Sequence, residues 1–453
     1  MVNVFPFKGI TYNKKKLKNL SKVMSPPYDV ISPEEHEALY ELSDYNIVRL
    51  ILGREFPGDS QYNNRYVRAA AFFEGWLRHD ILCQDEKPAI YIYEQVFRAG
   101  SKEYKRSGFI SLLRLEEIGK GDVFPHEHTL SKPKYDRVEL IKTTNANFDC
   151  VFSLFSDNNN KVQRLLKQYM RRKPTIEVKD KYKVANRLWR VDKKDFINKI
   201  VREMKEKEVF IADGHHRYEA ALRYKKEMKD RNTRFTEDEA YNNVMMFFAP
   251  VECPGLVVFP IHRLITRIHE FDADRFLEDI KAYFDVEKFA FTKRSEVSQR
   301  SKVVKLCAKR GESEHCFVLY LHGTSEYYLL TLRNKGIMSE LVEENKPQEW
   351  KTLDVTILQT LILKHILNIT SEDSVKYTKD DEDAVSKVKN GEFQMCFILN
   401  PTKIEEVITI AQKMEKMPQK STFFYPKLLT GMVMNKIVHG EKINWPPLKN
   451  DHS

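Results

Sequence analysis

The sequence lacks the patterns that identify several common classes of protein. No apolar run approaches the roughly 20 residues of a membrane-spanning helix, and Met1–Pro6 does not have the basic-then-apolar pattern of a secretory signal. The six cysteines stand apart, without a C-x-x-C pair, which argues against a disulfide framework or a zinc ribbon. We therefore expect a cytoplasmic protein that does not bind a membrane.

Four motifs of nucleotide-binding or hydrolytic enzymes are also absent. The chain has no G-x-x-x-x-G-K-[ST] loop, no G-x-G-x-x-G after a strand, no H-E-x-x-H and no G-x-S-x-G. Only 16 glycines are spread over 453 residues, so glycine-rich phosphate loops cannot be common. A bound nucleotide would have to be held by polar side chains and by the start of a helix.

Charges of both signs are interspersed along almost the whole chain. Lysine and arginine total 75 against 65 aspartate and glutamate, which gives a net charge of +10. The basic runs Lys14–Lys16 and Arg171–Lys173 are short, which indicates a solvated surface more than a nucleic-acid interface. We expect a small-molecule substrate and a nucleotide as partners, and the sequence leaves the oligomeric state open.

The mixture of predicted helices and strands indicates an α/β to α+β protein. The length favours two or three domains, and the breaks at Pro250 and Pro254-Gly255 mark the preferred boundary. We predict an N-terminal α/β region over residues 1–250, a C-terminal α+β domain over residues 251–439 and a frayed tail over residues 440–453.

The apolar pattern predicts most of the individual elements. We predict a strand over Ile47–Leu52 and a helix over Pro133–Asn145 that is capped by Ser131. Further strands are predicted over Ala89–Phe97, Gly108–Leu113, Asn243–Ala249, Leu256–Pro260, Cys316–Leu321, Tyr327–Leu332 and Phe393–Leu399. Further helices are predicted over Asn64–His79, Lys193–Glu206, Ala273–Tyr283 and Leu353–Leu367.

The stretch IADGHHRYEAALRY, residues 211–224, is predicted to run from a strand into a helix. A helix start carries unpaired N–H groups and a partial positive charge, and Gly214 would let a ligand approach the backbone closely. These features predict an anion site whose usual occupant is phosphate. Arg217 would add a bidentate contact, and His216 either joins it or simply bonds a neighbouring loop.

A second polar stretch, FPHEHTLSKPKYDR, covers residues 124–137. If it begins extended, His126 and His128 share one face and Glu127 points the other way. Two such histidines can begin a metal site, but a third ligand must come from elsewhere. The donors suited to an anion are Thr129, Lys132, Lys134 and Arg137. The alternative is a polar surface loop before a helix.

Two further polar stretches flank the chain at its ends. In SPPYDVIS, residues 25–32, Asp29 either caps a turn or, with Tyr28, forms part of a pocket wall. In MPQKSTFFYPK, residues 417–427, the basic and hydroxyl side chains either close over phosphates or form an ordinary basic loop. The candidate phosphate ligands there are Lys420, Ser421 and Thr422.

Three polar residues lie in, or directly before, predicted strands that are otherwise apolar. Arg49 lies in YNIVRLIL and Glu94 in AIYIYEQVF, and Asn46 comes just before the first of these strands. A charge in such a strand either faces solvent or must be paired. We name all three as candidates for a substrate pocket, with the solvent-facing interpretation as the alternative.

Four ordered motifs together resemble a widespread family. SKVMSPPYDVIS, PHEHTLSKPKYDR, IADGHHRYEAAL and MPQKSTFFYPK occur in this order, and they look like the domain-of-unknown-function family numbered 1015. The resemblance runs nearly end to end, from Phe5-Pro6-Phe7 to about Lys436. It implies an uncharacterised conserved protein.

The middle of the chain also resembles the ParB/sulfiredoxin superfamily, over the motif and its flanking elements only. Sulfiredoxins carry G-G-C-H-R-Y-A-A at a strand–helix junction that binds nucleotide phosphates, and D-G-H-H-R-Y-E-A, residues 213–220, is similar to it. His215 stands in place of the reactive cysteine, which argues against sulfinic-acid repair. Free serine kinases of the same superfamily use such a junction to move phosphate onto a small hydroxyl substrate.

The leading hypothesis is a kinase-like phosphotransferase of serine metabolism, with ATP or ADP as the donor. Phosphoryl transfer needs charge neutralisation and positioning, for which Gly214, His216 and Arg217 would hold phosphates. Asp213 or Glu127 would take the hydroxyl proton. His126 or His215 would donate to the transferring group. Magnesium is implied by the chemistry and by analogy, with no ligand set identifiable.

Two other classes of function stay open. In a metal-dependent phosphatase or hydrolase, Glu127 would be the base and the ligands would be His126, His128, Asp213, His215 and His216. In a non-catalytic nucleotide sensor or adaptor, the ParB-like module would bind nucleotide and the C-terminal domain would bind a partner. Elemental analysis and a turnover assay distinguish these from a kinase.

Overall fold

The computed structural model describes residues 1–266, 268–343 and 345–445. The predicted tail over 440–453 lies outside these residues from position 446 onward. The strands are β1 (Val4–Phe5), β2 (Ile10–Tyr12), β3 (Leu82–Gln84), β4 (Ile90–Ala99), β5 (Lys102–Arg114), β6 (Val123–Pro125), β7 (Ala146–Asn147), β8 (Val151–Phe155), β9 (Ile176–Lys179), β10 (Ala185–Val191), β11 (Val209–Asp213), β12 (Asn243–Pro250), β13 (Val257–Phe259), β14 (His262–Ile265), β15 (Phe284–Ala290), β16 (Cys316–Leu321), β17 (Glu326–Leu332), β18 (Val375–Thr378), β19 (Met395–Ile398), β20 (Phe423–Tyr425) and β21 (Asn435–Lys436).

The helices account for most of the remaining regular structure. They are α1 (Pro33–Leu42), α2 (Val48–Ile51), α3 (Arg65–Arg78), α4 (Ser131–Thr144), α5 (Lys161–Met170), α6 (Lys194–Met204), α7 (His215–Arg231), α8 (Ala273–Lys281), α9 (Glu296–Arg310), α10 (Ile337–Leu341), α11 (Gln348–Lys351), α12 (Asp354–Ile357), α13 (Asp381–Lys389) and α14 (Ile404–Gln412). A π-helix over Leu358–Ile366 directly follows α12. None of the helices in the described ranges is both long and apolar enough to cross a membrane.

The chain divides into two compact units. Unit 1 comprises residues 1–125, 129–257 and 426–453, and unit 2 comprises residues 126–128 and 258–425. Each unit therefore contains more than one stretch of the sequence. The domain boundaries predicted near residues 250 and 439 stay a prediction.

Unit 1 is built on a nine-stranded mixed sheet. Its strands lie in the order β6-β11-β8-β12-β5-β4-β10-β9, and β1 pairs with β5 off this path. β11 runs parallel to β6 and antiparallel to β8, and its register with β8 shifts between Ile211 and Asp213. The long apolar runs of β8 and β12 are buried throughout, as expected for central strands. The sheet thus holds the end of β11 firmly in place.

Unit 2 is built on a six-stranded antiparallel sheet. Its order is β15-β17-β16-β19-β14-β18, and its five pairs of neighbouring strands are all antiparallel. Apolar side chains of the sheet pack against helices that include α8, α9 and α13. The combination of a mixed sheet and an antiparallel sheet with helices confirms the predicted mixed α/β to α+β class.

Two details of the predicted elements are wrong. The apolar run Ile47–Leu52 forms the short buried helix α2 and not a strand, because periodicity alone cannot distinguish a short buried strand from a helical turn. Helix α4 begins at Ser131, with Leu130 as the preceding residue. Ser131 therefore lies inside the helix and does not cap it.

Candidate functional site

The junction of β11 and α7 has the predicted strand–turn–helix form. β11 ends at Asp213, Gly214 adopts φ +88°, and α7 begins at His215. A Cβ at Gly214 would lie 2.8 Å from Arg217 Nε. Both the positive φ and this close approach require glycine. Within the described residues, no side chain caps the first turn of α7, so its N-terminus keeps the partial positive charge of a helix start.

Asp213 is held between two cations at this junction. Lys427 Nζ lies 2.5 Å from one carboxylate oxygen, and Arg217 Nη2 donates to the other at 2.9 Å. Burial acts to raise the pKa of Asp213, but the charges of Lys427 and Arg217 hold it well below its ordinary value. Asp213 is therefore ionised at neutral pH.

Arg217 joins Asp213 to a second carboxylate. Its side chain is only 7% exposed, and its Nη1 lies 3.5 Å from Asp149 Oδ2 and donates to the carbonyl of Cys150. Burial raises the pKa of Asp149, while the charges of Arg217 and Arg137 act against this rise. The pKa values of Asp213 and Asp149 are thus shifted in opposite directions.

Arg137 and Tyr28 extend this cluster toward the first motif. The Arg137 guanidinium lies 3.8 Å from the centre of the Tyr28 ring and donates to the carbonyl of Ile51 at 2.8 Å. Burial raises the pKa of Tyr28, and the charges of Arg137 and Asp29 act on it in opposite directions. Residues from four separate parts of the sequence therefore meet within unit 1.

Several buried polar atoms of this cluster make no hydrogen bond within the described part of the chain. They are Arg217 Nε, Arg137 Nη1, Asp149 Oδ2 and Thr430 Oγ1. Buried donors and acceptors are normally satisfied by protein, water or a ligand. The cavity beside Asp149, Arg217 and Thr430 measures about 10 Å³, which is room for about one water. A nucleotide would instead have to lie on the partly exposed side of the junction, at Gly214 and His216.

The second motif meets α7 through its middle portion. Thr129 Oγ1 and Lys134 Nζ donate to Glu219 Oε2 at 2.7 and 3.0 Å. The N–H of Leu130 donates to His216 Nε2 at 3.0 Å. The structure thus brings residues 129–137 against the first turns of α7, whereas Lys132 is exposed.

The remaining parts of the second and fourth motifs lie together in unit 2. His126 is buried, with Nε2 3.4 Å from Thr422 Oγ1. The N–H of Lys420 lies 3.4 Å from Glu127 Oε1, and Thr402 donates to the carbonyl of Ser421. Their predicted roles in catalysis and phosphate binding stay predictions.

The three candidates for a substrate pocket contact neighbouring protein groups. Asn46 is fully buried, and its side chain accepts from the N–H of Val48 and so begins α2. Arg49 donates to Asp44 at 3.2 Å, and Glu94 accepts from Arg187 at 3.1 Å. Their contacts are those of structural residues, and a role in substrate binding stays a prediction.

Sequence reasoning did not select two residues of the cluster. Lys427 is the last residue of the motif MPQKSTFFYPK, and its place in this motif could have identified it as a candidate. Asp149 lies in the apolar stretch NFDCVF. A single carboxylate just before a buried strand must be paired or exposed, and this could have identified Asp149 as a candidate. Across the described residues, no group of three or more histidine, cysteine, aspartate or glutamate side chains is arranged to hold a metal ion.

The fold and the junction define a mixed α/β protein with an ionic cluster at a strand–helix turn. The chain belongs to the DUF1015 family, described as proteins of unknown function, whose model matches residues 4–356. A comparison with curated proteins gives no match.

Several solved structures are similar in part. A free serine kinase mutant in complex with AMP has 13% identity over 67% of this chain and 84% of its own, with a TM-score of 0.32. A conserved hypothetical protein from Pyrococcus furiosus has 15% identity over 68% and 89%, with a TM-score of 0.29. Truncated SbnI from Staphylococcus aureus has 10% identity over 70% and 85%, with a TM-score of 0.32. These likenesses are too remote to assign a function.

Proposed function

We propose that the protein transfers a phosphoryl group between ATP or ADP and the hydroxyl of a small metabolite such as serine. The observation that supports this proposal is the ionic cluster at the start of α7. There Lys427 and Arg217 converge on Asp213 beside a glycine that lets a ligand approach the backbone. Phosphoryl transfer depends on this combination of positive charge and fixed position.

The phosphates are proposed to lie at the N-terminus of α7, as in junctions of the ParB/sulfiredoxin type. The helix start and the partly exposed Gly214 and His216 supply donors and positive potential for an anion. The guanidinium of Arg217 lies behind this turn and adds charge at short range.

The two carboxylates are proposed to take different roles. Asp213 is bound by two cations and has a lowered pKa, so it suits the positioning of Lys427 and Arg217 better than proton acceptance. Burial raises the pKa of Asp149, and this carboxylate would take the hydroxyl proton through the single water that its cavity of about 10 Å³ admits. Carboxylates whose environments separate their pKa values commonly divide the acid–base roles in this way.

Magnesium would neutralise phosphate charge when it is bound with the nucleotide. No group of three carboxylate, imidazole or thiolate ligands is arranged for a metal ion in the described ranges. We therefore assign no protein ligands to magnesium, and we expect the ion to arrive on the phosphates. The protein's own part is to bind and orient the phosphates through α7, Lys427 and Arg217.

A turnover assay tests the proposal directly. Purified protein is incubated with serine, magnesium and either ATP or ADP, and phosphoserine is measured by mass spectrometry. We expect phosphoserine from the unaltered protein, and at least a tenfold lower rate from Asp149→Asn with nucleotide binding retained. Asp157→Asn, which alters another buried carboxylate of unit 1, is the control for a merely structural effect.

Two outcomes contradict the catalytic proposal. The first is the absence of phosphoserine and of nucleotide turnover above the blank with either donor. The second is nucleotide binding without turnover of serine or any other small hydroxyl substrate, which would favour a sensor or adaptor. If Asp149→Asn keeps full activity, the assignment of Asp149 as proton acceptor is wrong.

A further inference from the structure

Two buried cysteines face each other in unit 2. Cys307 lies in the last turn of α9, and Cys316 is the first residue of β16. Their sulfur atoms are 3.4 Å apart, and both thiols are free. A disulfide bond would require the sulfurs to approach by only about 1.4 Å, to the ~2.05 Å of the bond.

The surroundings of the pair make the two sulfurs chemically different. The thiol of Cys307 donates toward Cys316 Sγ, and Asn400 Nδ2 lies 3.8 Å from the same sulfur. The hydrogen bond from Cys307 lowers the pKa of Cys316, although burial acts against this. The same contact raises the pKa of Cys307. Each sulfur also lies within hydrogen-bond distance of its partner's backbone carbonyl, at 3.4 Å for Cys307 and 3.1 Å for Cys316.

A cavity of about 240 Å³ lies next to this pair, on the far side of Asn400 from Cys316. Its lining includes Asn400, Gly311, His315 and Asp354, and its rim includes the exposed Lys335. A Cβ at Gly311 would fall 2.1 Å from Asn400 Nδ2, so glycine allows Asn400 to lie between the cavity and Cys316. A molecule the size of hydrogen peroxide that enters the cavity is then one side chain away from the sulfur.

We propose that Cys307 and Cys316 form an oxidisable dithiol that a small hydroperoxide converts to a disulfide. The thiolate of one cysteine attacks one peroxide oxygen, the O–O bond breaks, and the leaving hydroxide takes a proton to become water. The other cysteine then attacks the sulfenic sulfur, and its thiol proton leaves with the displaced hydroxide as a second water. Two thiols lose two electrons in total, and one peroxide is reduced to two waters.

The experiment maps the thiols of the full-length protein before and after exposure to hydrogen peroxide. A Cys83→Ser background removes the exposed cysteine, so that the remaining reactive thiols are buried. We expect the free-thiol count, measured after unfolding, to fall by two. Peptide mass spectrometry should find Cys307 joined to Cys316, and dithiothreitol should restore both thiols.

Matched variants separate the pair from the other buried cysteines. Cys307→Ala and Cys316→Ala should each prevent the loss of two thiols, and the variant that keeps the attacking cysteine should leave a sulfenic acid that dimedone traps. Cys396→Ala, which alters a buried cysteine of the same core, should leave disulfide formation unchanged. The proposal is overturned if both thiols stay reduced in the folded protein, or if oxidation occurs only at other cysteines. The mapping of the unaltered pair decides this even where a variant fails to fold.

Discussion

At the scale of single residues, a few buried charges decide what the junction can do. Asp213 receives Lys427 and Arg217, and Arg217 also lies beside Asp149. Charges removed from water are costly unless they are paired. The arrangement therefore depends on each partner, and the loss of one would leave an uncompensated charge. An anion bound at this helix start, as proposed above, would account for so costly a network.

Lys427→Met tests the importance of this network for stability. We expect the free energy of unfolding to fall by about 3 kcal/mol, because the buried Asp213 then keeps only one of its two cationic partners, Arg217. Lys436→Met is the matched control, since Lys436 pairs with the half-exposed Glu74 and a surface pair contributes about 1 kcal/mol or less. Urea unfolding measures both. Equal losses in the two variants would show that Lys427 is an ordinary surface lysine.

The burial of His262 predicts that unit 2 becomes less stable in acid. It is buried in β14, and its Nδ1 accepts from the N–H of Leu399 at 3.2 Å. Burial, with a contribution from the charge of Arg263, lowers the pKa of His262 to about 4. Since the unfolded histidine titrates near 6.5, the unfolded state binds more protons between these values. Stability is therefore fully present above about pH 6.5 and falls as the pH drops toward 4.

The expected loss at His262 is about 3 kcal/mol, from a shift of roughly two to three pKa units at about 1.4 kcal/mol each. Urea unfolding followed between pH 7 and pH 4 measures this loss, and His262→Gln should reduce the slope. His269→Gln is the control, because His269 is exposed. If His262→Gln leaves the slope of stability against pH unchanged, the acid sensitivity comes from other groups.

At the scale of elements, the turn between β11 and α7 is more tightly constrained than an ordinary turn. Its glycine has a positive φ and lies against the Arg217 side chain. In the first two turns of the helix that follows, Tyr218 and Ala221 are buried in the core. The helix is thereby fixed at its N-terminus, where a phosphate would bind.

Gly214→Ala separates backbone strain from displacement of Arg217. Gly58→Ala is the matched control, because Gly58 has φ +89° and a Cβ there would meet nothing within 4 Å. We expect Gly58→Ala to cost about 1–2 kcal/mol of strain, and Gly214→Ala to cost more because Arg217 must move. Nucleotide affinity, measured by calorimetry, should fall only for Gly214→Ala. Equal effects on stability and affinity would indicate that the approach of Arg217 is unimportant.

At the scale of the whole molecule, each unit has its own hydrophobic core. The core of unit 1 gathers residues from the start of the chain to Ile437, and that of unit 2 is built between Leu264 and Met417. Unit 1 therefore closes only when distant segments come together. Contacts of such high sequence separation are slow to form, and they are the contacts that assemble the candidate site.

The two cores predict a selective effect of nucleotide on unfolding. We expect scanning calorimetry to resolve two transitions, because each unit buries a separate core. A ligand that binds only folded unit 1 stabilises that unit by mass action, so ADP with magnesium should raise one transition and leave the other in place. Lys427→Met should remove the shift, and Lys436→Met should keep it. A shift of both transitions would contradict binding to unit 1 alone.

Local sequence patterns were enough to predict many of the strands and helices of this protein. Alternating and continuous apolar runs predicted strands such as Cys316–Leu321, which the structure confirms. The sequence around Gly214 predicted the strand–turn–helix junction, because glycine, periodicity and charge act within a few residues of one another. Where an apolar run was short, as at Ile47–Leu52, local pattern could not choose between strand and helix.

Tertiary structure alone decided which polar residues meet. Asp149, Asp213 and Lys427 are far apart in the sequence, and only the sheet of unit 1 and the return of the chain after residue 425 bring them together. The sequence determined where charges enter apolar surroundings, since that depends on neighbouring residues. It could not determine their partners, because an ion pair depends on distances in space that no local pattern encodes.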